Sequence, residues 1–438
     1  MNSLSAIQQT LFQTQSSLKT SPVQLQDGEV VLGRIIKFLP NDNAIVQIGS
    51  QTMNAQLETA VEAMKSYWFQ VSVTGSSRKL KVLEFGVKGQ TQSLPEQLLQ
   101  AYGVPVKKES KAFIQLLMKN QVPFTQKQLL TGLQWLLNQS NETPQQIQQN
   151  MDSLLFVLKR KWPITPFVVD AIKASRTSSI TEQLNTLVQQ LDSKPNKTQG
   201  EEKLLRVLQE LFKRDLESQF NNSLTLNQPT HTKQDAVKLF IQMMTKQLGL
   251  NTEKVLKKGN PNELKHQIAT VKSLIVSAIG DTVEPSIRMN MELVLAQLNG
   301  QSLLTHDQGP FAFLYVSLPL LLKNWLTDWN IQMYGRKQKD GSIDPSHCRI
   351  VFDLNLKSIQ NTLVDVRIQQ KIVTVQLYND ILTKEFITPL LHQVRGSFEK
   401  MGYQLTSVTV HPFNRIVNEQ ESPLIHQIQS VEKVDVKI

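Results

Sequence analysis

The chain has 438 residues, a length that exceeds one ordinary hydrophobic core and predicts two or three domains. Hydrophobic residues make up 40% of the sequence and charged residues 19%, which excludes a chain that is disordered throughout. The net charge of +10 would suit nucleic acid or an acidic membrane as a partner. The basic residues are dispersed, however, and no aromatic strip accompanies them, so we interpret them chiefly as solvated faces of Lys-rich helices.

The cysteine content and the apolar segments of the sequence indicate in which compartment the protein is made and whether it spans a membrane. Cys348 is the only cysteine, which excludes disulfides within the chain and cysteine-rich zinc sites. Residues 1–20 lack a basic segment followed by an apolar core, so we expect no cleavable secretory signal. The longest apolar run, Phe311–Leu322, contains Ser317 and Pro319 and is too short to span a bilayer. These features predict a protein that is made in the cytoplasm and has no transmembrane segment.

The N-terminal part reads as a leader followed by a small β-barrel. Residues 1–27 are rich in Gln, Ser and Thr, and we interpret them as a mobile leader. Residues 28–86 contain five short segments of alternating apolar residues, separated by turns such as Asn41-Asp42-Asn43. This pattern predicts a small five-stranded β-barrel. Such barrels often bind nucleic acid, but these strands offer few aromatic residues and little excess charge, which favours a structural or protein-contact role.

The middle of the chain has helical periodicity. Thr125 is placed to cap a helix N-terminus, and Gln128 completes a capping box after it. A polar hinge is expected at residues 192–200 and a second linker at residues 221–230. Beyond them, Asn260-Pro261 begins a predicted helix whose apolar stripe continues through Val271 and Ile275.

Motifs for catalysis or ligand binding are absent from the sequence. There is no glycine-rich nucleotide loop, no Gly-x-Ser-x-Gly and no His-Glu-x-x-His, and the seven histidines lack the spacing of metal ligands. His347 and Cys348 are neighbours, but adjacent residues on a strand point to opposite faces. We therefore interpret them as a surface histidine beside a buried cysteine. The expectation is a non-enzymatic protein with no catalytic residues, cofactor, metal or small-molecule substrate.

The most informative order of elements lies between residues 311 and 413. Apolar residues alternate over residues 349–354, 363–368 and 371–378, which predicts strands of one antiparallel sheet. Asp380 or Thr388-Pro389 opens a helix in which Leu390 or Leu391, Val394, Phe398 and Met401 form one apolar face. Gly402 ends this helix, and residues 404–410 return as a strand. We expect an α+β unit in which one helix packs across the sheet.

Taken together, these patterns predict an α+β multidomain fold. A small five-stranded β-barrel comes first, an all-α middle follows, and an antiparallel sheet with one packed helix forms the C-terminal part. The predicted divisions are a leader at 1–27, the barrel at 28–86, a helical domain at 94–191, a helical segment at 201–300, the α+β domain at 311–413 and a tail at 414–438.

A pattern of apolar positions in residues 350–410 is shared with a known family. The matching stretches are Phe352-Asp353-Leu354-Asn355-Leu356, Val364-Asp365-Val366, Val373-Thr374-Val375 and the helix end Met401-Gly402-Tyr403. On these residues the chain resembles the C-terminal domain of flagellar hook-length control proteins, in particular Gram-positive members. Where that family usually has Leu-Gly-x-Val before the third strand, this sequence has Ile359-Gln360-Asn361-Thr362.

The resemblance implies a function in assembly of the flagellum. Members of the family are exported by the flagellar type III apparatus without a cleavable signal, and their C-terminal domain contacts the cytoplasmic domain of an export-gate membrane protein. The motif positions carried over as partner-binding residues are Ile359, Gln360, Val364 and Val366. An alternative for the three apolar positions is that they belong to the core of the sheet.

Two other functions stay open on the sequence. One is a cytoplasmic nucleic-acid-binding protein that uses the N-terminal barrel and the basic helices. The other is a paralogue that keeps the fold and has no flagellar role.

Overall fold

The computed structural model describes residues 25–57, 61–74, 77–83, 93–139, 142–213, 233–250, 270–322 and 325–413. The predicted leader up to residue 24, the linker at 221–230 and the tail at 414–438 lie outside these residues. The chain forms two compact units, Met1–Ile164 and Thr165–Ile438. Their boundary falls inside the predicted helical domain at 94–191, so the helices of that segment are divided between the two units.

The first unit begins with a closed barrel. Its strands are β1 Glu29–Leu39, β2 Asn43–Ile48, β3 Gln51–Leu57, β4 Ser66–Thr74 and β5 Ser77–Val82. The strand order is β2-β3-β5-β4-β1, and β1 also pairs with β2, so the sheet closes on itself. The β3–β5 pairing is parallel and the other barrel pairings are antiparallel. The predicted five-stranded barrel is confirmed.

Alternating apolar residues give each barrel strand one apolar face, because every second residue of a strand points to the same side. The strands bury these apolar faces together inside the barrel. In β2, Ala44, Val46 and Ile48 are buried, whereas the residues between them are partly exposed. Gly33 lies against this interior, and a Cβ atom there would come within 2.8 Å of Val46 Cγ1. The barrel core consists of Val31, Ile35, Ala44, Val46, Ile48, Ala55, Leu57, Phe69, Val71, Leu80 and Val82, together with Leu25.

Four helices and a short strand complete the described part of the first unit. They are α1 Leu94–Ala101, α2 Lys108–Lys119, β6 Phe124–Thr125, α3 Gln126–Leu137 and α4 Pro144–Lys159. Thr125 Oγ1 accepts a hydrogen bond from Gln128 N at 3.2 Å, and Gln128 Oε1 accepts one from Thr125 N at 2.9 Å. The predicted capping box is therefore confirmed.

The described helices of the second unit before its sheet are α5 Pro166–Thr177, α6 Ile180–Ser193, α7 Gln199–Phe212, α8 Lys233–Leu248, α9 Val271–Ile279 and α10 Pro285–Leu304. The loop between α6 and α7 lies within the predicted hinge at 192–200. Of the helix predicted to run from Asn260 through Ile275, residues 260–269 lie outside the described residues, and Val271 and Ile275 are helical as predicted but belong to a helix that begins after Thr270. Thr270 caps a new helix there, because its Oγ1 accepts from Ser273 N at 3.2 Å.

The second unit ends in a seven-stranded sheet and one helix. The strands follow one another in sequence order: β7 His306–Gln308, β8 Phe311–Leu322, β9 Trp325–Lys337, β10 Ile343–Leu356, β11 Gln360–Gln369, β12 Ile372–Tyr378 and β13 Gln404–His411. The pairings from β7 to β12 are antiparallel, which confirms the predicted antiparallel sheet. The last strand, β13, joins β12 in parallel through the helix α11 Lys384–Lys400.

The start of α11 differs from both predicted positions. Asn379 Oδ1 accepts hydrogen bonds from Ile381 N and Leu382 N, each at 2.7 Å, and this turn holds the chain away from helical geometry after Asp380. The helix begins at Lys384 after its N-cap residue Thr383, and Pro389 lies inside it.

Helices and sheet share one hydrophobic core in the second unit. Val316, Leu318 and Leu320 of β8 are buried in the same cluster as residues of α6, α7, α8, α9 and α10. Trp329 and Leu354 extend this cluster along the same face of the sheet. The run Phe311–Leu322 is therefore a strand of this core. Described helices of the second unit and strand β8 thus contribute to the same core.

The end of α10 covers the edge of β8. Gln301 Oε1 accepts a hydrogen bond from Ser317 N at 3.0 Å. Thr305 Oγ1 donates to Tyr315 O at 3.0 Å and accepts from Tyr315 N at 3.1 Å. An uncovered strand edge is a template for unwanted pairing, and these side chains occupy its donors and acceptors.

A buried carboxylate joins the α6–α7 loop to the α9–α10 loop. Glu201 is fully buried, and its oxygens accept from Lys194 Nζ at 2.7 and 2.8 Å. They also accept from Thr198 N at 2.8 Å and Thr282 Oγ1 at 3.0 Å. Burial raises the pKa of the Glu201 carboxyl, but these hydrogen bonds and the Lys194 charge outweigh that effect and hold the pKa below its ordinary value.

This depressed pKa predicts a stability loss in acid. In the unfolded chain Glu201 titrates near 4.5, so the stability it contributes is present above that pH and is lost as pH falls through the lower pKa of the folded state. We expect the free energy of unfolding to decrease as the pH is lowered from 4.5. Glu201→Gln should make the free energy of unfolding less dependent on pH in that range. Urea unfolding of both proteins between pH 3 and 7 measures the effect, and equal slopes below pH 4.5 would contradict it.

Candidate interaction surfaces

Two of the four predicted partner-binding residues lie where the turn between β10 and β11 ends, Ile359 in the turn and Gln360 as the first residue of β11. Gln360 is exposed and has a φ of 55°, and Ile359 beside it is half-buried. A positive φ of this size is the left-handed region, which favours glycine. Gln360 thus has a backbone conformation that glycine adopts readily.

A buried asparagine holds this turn in place. Asn379 is 2% exposed, and its Nδ2 donates to Ile359 O at 2.7 Å, to Asn361 O at 2.9 Å and to Thr362 Oγ1 at 2.8 Å. Its Oδ1 accepts from the two amides at the start of the β12–α11 loop. One side chain therefore links the β10–β11 turn to the loop that leads into α11. Sequence reasoning missed Asn379, because its partners lie about twenty positions earlier in the chain.

The other two predicted residues, Val364 and Val366, lie in the hydrophobic cluster between the sheet and α11. Val366 is 8% exposed and Val364 is partly buried. They are two positions apart on β11 and therefore share one face. The structure thus separates the four residues into a turn pair and a sheet pair. The sheet pair contributes to the core, as the alternative interpretation of the sequence expected.

The acidic residue of the motif points to the opposite face of the sheet. Asp365 is 1% exposed, and Arg349 Nε and Nη2 each donate to its carboxylate at 2.8 Å. Arg367 Nη2 adds a third contact at 3.1 Å. A bidentate arginine pair of this kind fixes geometry as well as charge, so Asp365 holds β10 and β11 in register.

Helix α11 presents an apolar flank to solvent. We use the name α11 flank for Phe386, Leu390 and Val394, which are 63%, 52% and 39% exposed. Their i, i+4, i+8 spacing places them in one row along the helix. The predicted apolar face of this helix is thus only partly packed: Phe398 contacts the sheet cluster, whereas Leu390 and Val394 do not lie in it.

The sheet face beside this helix is also incompletely covered. Ile350, Phe352, Val364 and Leu377 pack against the buried cluster yet remain partly exposed. The α11 flank is an exposed apolar row of the kind that marks protein contacts, on a helix whose Phe398 packs against these side chains. The sequence indicated this exposed flank through the number of apolar residues in α11. They cover a wider arc of the helix than packing against one sheet requires.

The barrel offers a second, polar surface. Arg34 and Lys37 of β1 are exposed, and they pair with Gln47 and Ile45 of β2 on either side of an irregularity in register. This bulge brings both cations to the outer face of the barrel, since the facing residues of β2 are two apart. Phe38 follows at the end of β1 and is 46% exposed. Phe38 pairs with Ala44 of the barrel core, so its side chain leaves the strand on the opposite face from the two cations.

The described parts of the chain carry neither a metal cluster nor a membrane-spanning helix. Over those residues, no group of three or more His, Cys, Asp or Glu side chains is arranged to hold a metal ion. No helix within the same ranges is both long and apolar enough to cross a bilayer. Cys348 is a free, buried cysteine, and burial raises the pKa of its thiol.

The fold and these surfaces define a multidomain α+β protein with a barrel of the S1-like class. The sequence profile of the TP0910 S1-like domain matches residues 6–81, which include nearly all of the five barrel strands. Over its whole length the chain is similar to the uncharacterized protein YlqG of Bacillus subtilis (strain 168). The two are 21% identical, and the alignment covers 99% of this chain and 98% of that protein. No solved structure matches the chain significantly.

Proposed function

We propose that this chain is a non-enzymatic, hook-length-control-like protein that contacts the cytoplasmic domain of a flagellar export-gate protein through its C-terminal sheet and helix. The observation that supports the proposal is the exposed apolar row of the α11 flank, on the helix whose Phe398 packs in the same cluster as Val364 and Val366. In this proposal the protein is made in the cytoplasm and is exported through the flagellar apparatus without a cleavable signal.

Turn geometry gives further support. The family motif has a glycine before the third strand, and Gln360 occupies that place with a left-handed backbone. The hairpin therefore keeps the shape implied by the resemblance although the glycine is missing. A paralogue with no flagellar role would keep the same hairpin, so binding has to be measured directly.

Gln360→Gly is expected to stabilise the chain. A non-glycine residue in the left-handed region costs about 1–2 kcal/mol, and the greater freedom of unfolded glycine offsets about half of the gain. We expect a net increase of about 0.5–1 kcal/mol in the free energy of unfolding, measured by urea titration. Gln369→Gly is the matched control, because Gln369 is an exposed glutamine at the other end of β11. Gln369→Gly should lower the free energy of unfolding. If both substitutions changed the free energy of unfolding in the same direction, the argument from backbone strain at Gln360 would be refuted.

Binding to the export-gate domain tests the main proposal. The full chain and the cytoplasmic domain of the export-gate protein from the same genome are mixed in a calorimeter. Leu390→Glu should weaken the complex at least tenfold, because it places a charge in the centre of the α11 flank. Val283→Glu is the control, since Val283 is 84% exposed and lies between α9 and α10. Normal hook length and motility in a strain without the gene would refute the flagellar role.

A second function is supported by the S1-like match and by the exposed cations Arg34 and Lys37 on the outer face of the barrel. It is binding of single-stranded nucleic acid by the barrel. Fluorescence anisotropy with a single-stranded RNA and a DNA oligonucleotide at low salt should show binding that weakens as salt rises. Lys37→Ala should reduce affinity several-fold, whereas Ser72→Ala, a change at an exposed residue of β4, should not. No binding at low salt would eliminate this function.

A further inference from the structure

The two sides of the seven-stranded sheet differ in how their outer strands are protected. On one side, the end of α10 covers β8 through the side-chain hydrogen bonds of Gln301 and Thr305. On the other side, the outermost strand is β13, which pairs with β12 and with no second strand of the described chain. A strand in this position presents a row of backbone N–H and C=O groups that can pair with another chain.

The hydrogen bonding of β13 shows which of its backbone groups point outward. His411 O accepts a hydrogen bond from Asn379 N at 2.9 Å, so the backbone of His411 is directed toward β12. This direction alternates from one residue of a strand to the next. Val410 and Val408 therefore direct their N–H and C=O groups away from β12, toward the side on which no described strand pairs with β13.

The sequence of β13 lacks the features that usually protect an outer strand. Charged residues and prolines keep the edges of natural sheets from pairing with other chains. The strand Gln404–His411 contains no Lys, Arg, Asp, Glu or Pro. Half of its residues are Val or Thr, whose branched side chains favour the extended conformation. The strand thus has the composition of one that pairs on both sides.

A second copy of the chain is the partner that this strand suits, because β13 is complementary to itself. Two copies of β13 can run antiparallel around a two-fold axis at Val408, whose outward N–H and C=O groups then bond to those of Val408 in the other copy. Ser407 lies opposite Thr409 of the other copy in this arrangement. Such hydroxyl pairs are favourable across strands, and no like charges meet.

We propose that the chain forms a two-fold symmetric homodimer in which β13 pairs antiparallel with β13 of a second copy, so that their two sheets become continuous. Two strands of eight residues bury less than about 1,200 Å² in total, which is the size of weak and transient contacts. We therefore expect a dimer that forms at micromolar concentration and dissociates on dilution. The α11 flank takes no part in this contact, so the dimer can fail while the proposed function stands, and the reverse also holds.

Charges placed on β13 test the pairing in the full-length protein. Ser407 and Thr409 are exposed, and they pair with β12 on the face opposite to Val408, which packs in the cluster with α11. In the double variant Ser407→Lys/Thr409→Lys, every new lysine meets a lysine of the other copy. We expect dimerisation, measured by analytical ultracentrifugation, to weaken at least tenfold. The matched control Ser407→Lys/Thr409→Glu carries as many new charges, but each lysine meets a glutamate, so its dimer should persist.

Mixing two variants separates lost pairing from lost folding. Ser407→Glu/Thr409→Glu should also be monomeric by itself, and an equimolar mixture with Ser407→Lys/Thr409→Lys should restore a dimer that contains one copy of each. A wild-type chain that stays monomeric at every concentration would overturn the proposal. Equal dimerisation of the Lys/Lys variant and the Lys/Glu control would overturn it too, because the contact would then lie elsewhere. A monomeric wild type whose binding to the export-gate domain is weakened by the Lys/Lys change would assign β13 to that partner instead.

Discussion

Gly300→Ala should destabilise the second unit by about 3 kcal/mol or more, since overpacking against a backbone atom is among the costliest core changes. A Cβ atom at this position would overlap Ala171 O and lie 2.6 Å from Ser175 Oγ. Ala171 O belongs to the backbone of α5, so relief requires α5 and α10 to separate along their length. We expect the urea midpoint of the helical signal to fall, and the loss to appear in the transition of the second unit.

The control is a glycine in the same unit whose surroundings are open. Gly396 lies inside α11, and a Cβ atom added there would meet no neighbouring atom within 4 Å. Gly396→Ala should therefore stabilise the chain by up to about 1 kcal/mol through helix propensity alone. If Gly300→Ala proved within about 0.5 kcal/mol of the wild type, the close approach of α5 and α10 would be wrong.

The same contact illustrates what the sequence could and could not predict. The sequence predicted a helical segment at 201–300, and Pro285–Leu304 begins within it as a helix. Nothing in the apolar spacing of that segment identified Gly300 as the point where two helices touch, because its partner Ala171 lies far away in the chain. Local periodicity records which residues favour burial, and it does not record which elements they are buried against.

Strand β8 shows a second limit. The run Phe311–Leu322 is almost continuously apolar, and most of its residues are buried. Alternation appears only when one face of a strand meets solvent, so a strand covered on both faces carries no period-two signal. The barrel strands and β10 to β12 were predicted correctly because their outer faces are polar or partly exposed.

The candidate surface was predicted in part and for a physical reason. The sequence identified Leu390 and Val394 as apolar positions of a helix, but a helical wheel cannot state which part of a wide apolar arc a sheet covers. The motif residues Val364 and Val366 were placed on the right strand. Asn379, which connects the motif turn to the helix, left no local signal, since a single asparagine in a loop is ordinary turn chemistry.

Asn379→Ala should destabilise the C-terminal sheet by about 3 kcal/mol, because it leaves several buried polar groups without partners. The substitution removes donors from Ile359 O, Asn361 O and Thr362 Oγ1 and removes the acceptor of two loop amides. Hydrogen exchange localises the effect, since the amides of Ile381 and Leu382 should lose protection first. Asn379→Asp should be no better, because its carboxylate would face three oxygen atoms in place of donating to them.

Asn361→Ala is the matched control for this prediction. Asn361 is exposed, and Asn379 bonds to its backbone oxygen, which the substitution keeps. Its effect should stay below about 0.5 kcal/mol, as for most surface changes. Binding to the export-gate domain should follow the same order, since Asn379 positions both the Gln360 turn and the start of α11, while Asn361 positions neither. Equal losses of stability at Asn361 and Asn379 would show that the turn is not held by the Asn379 side chain.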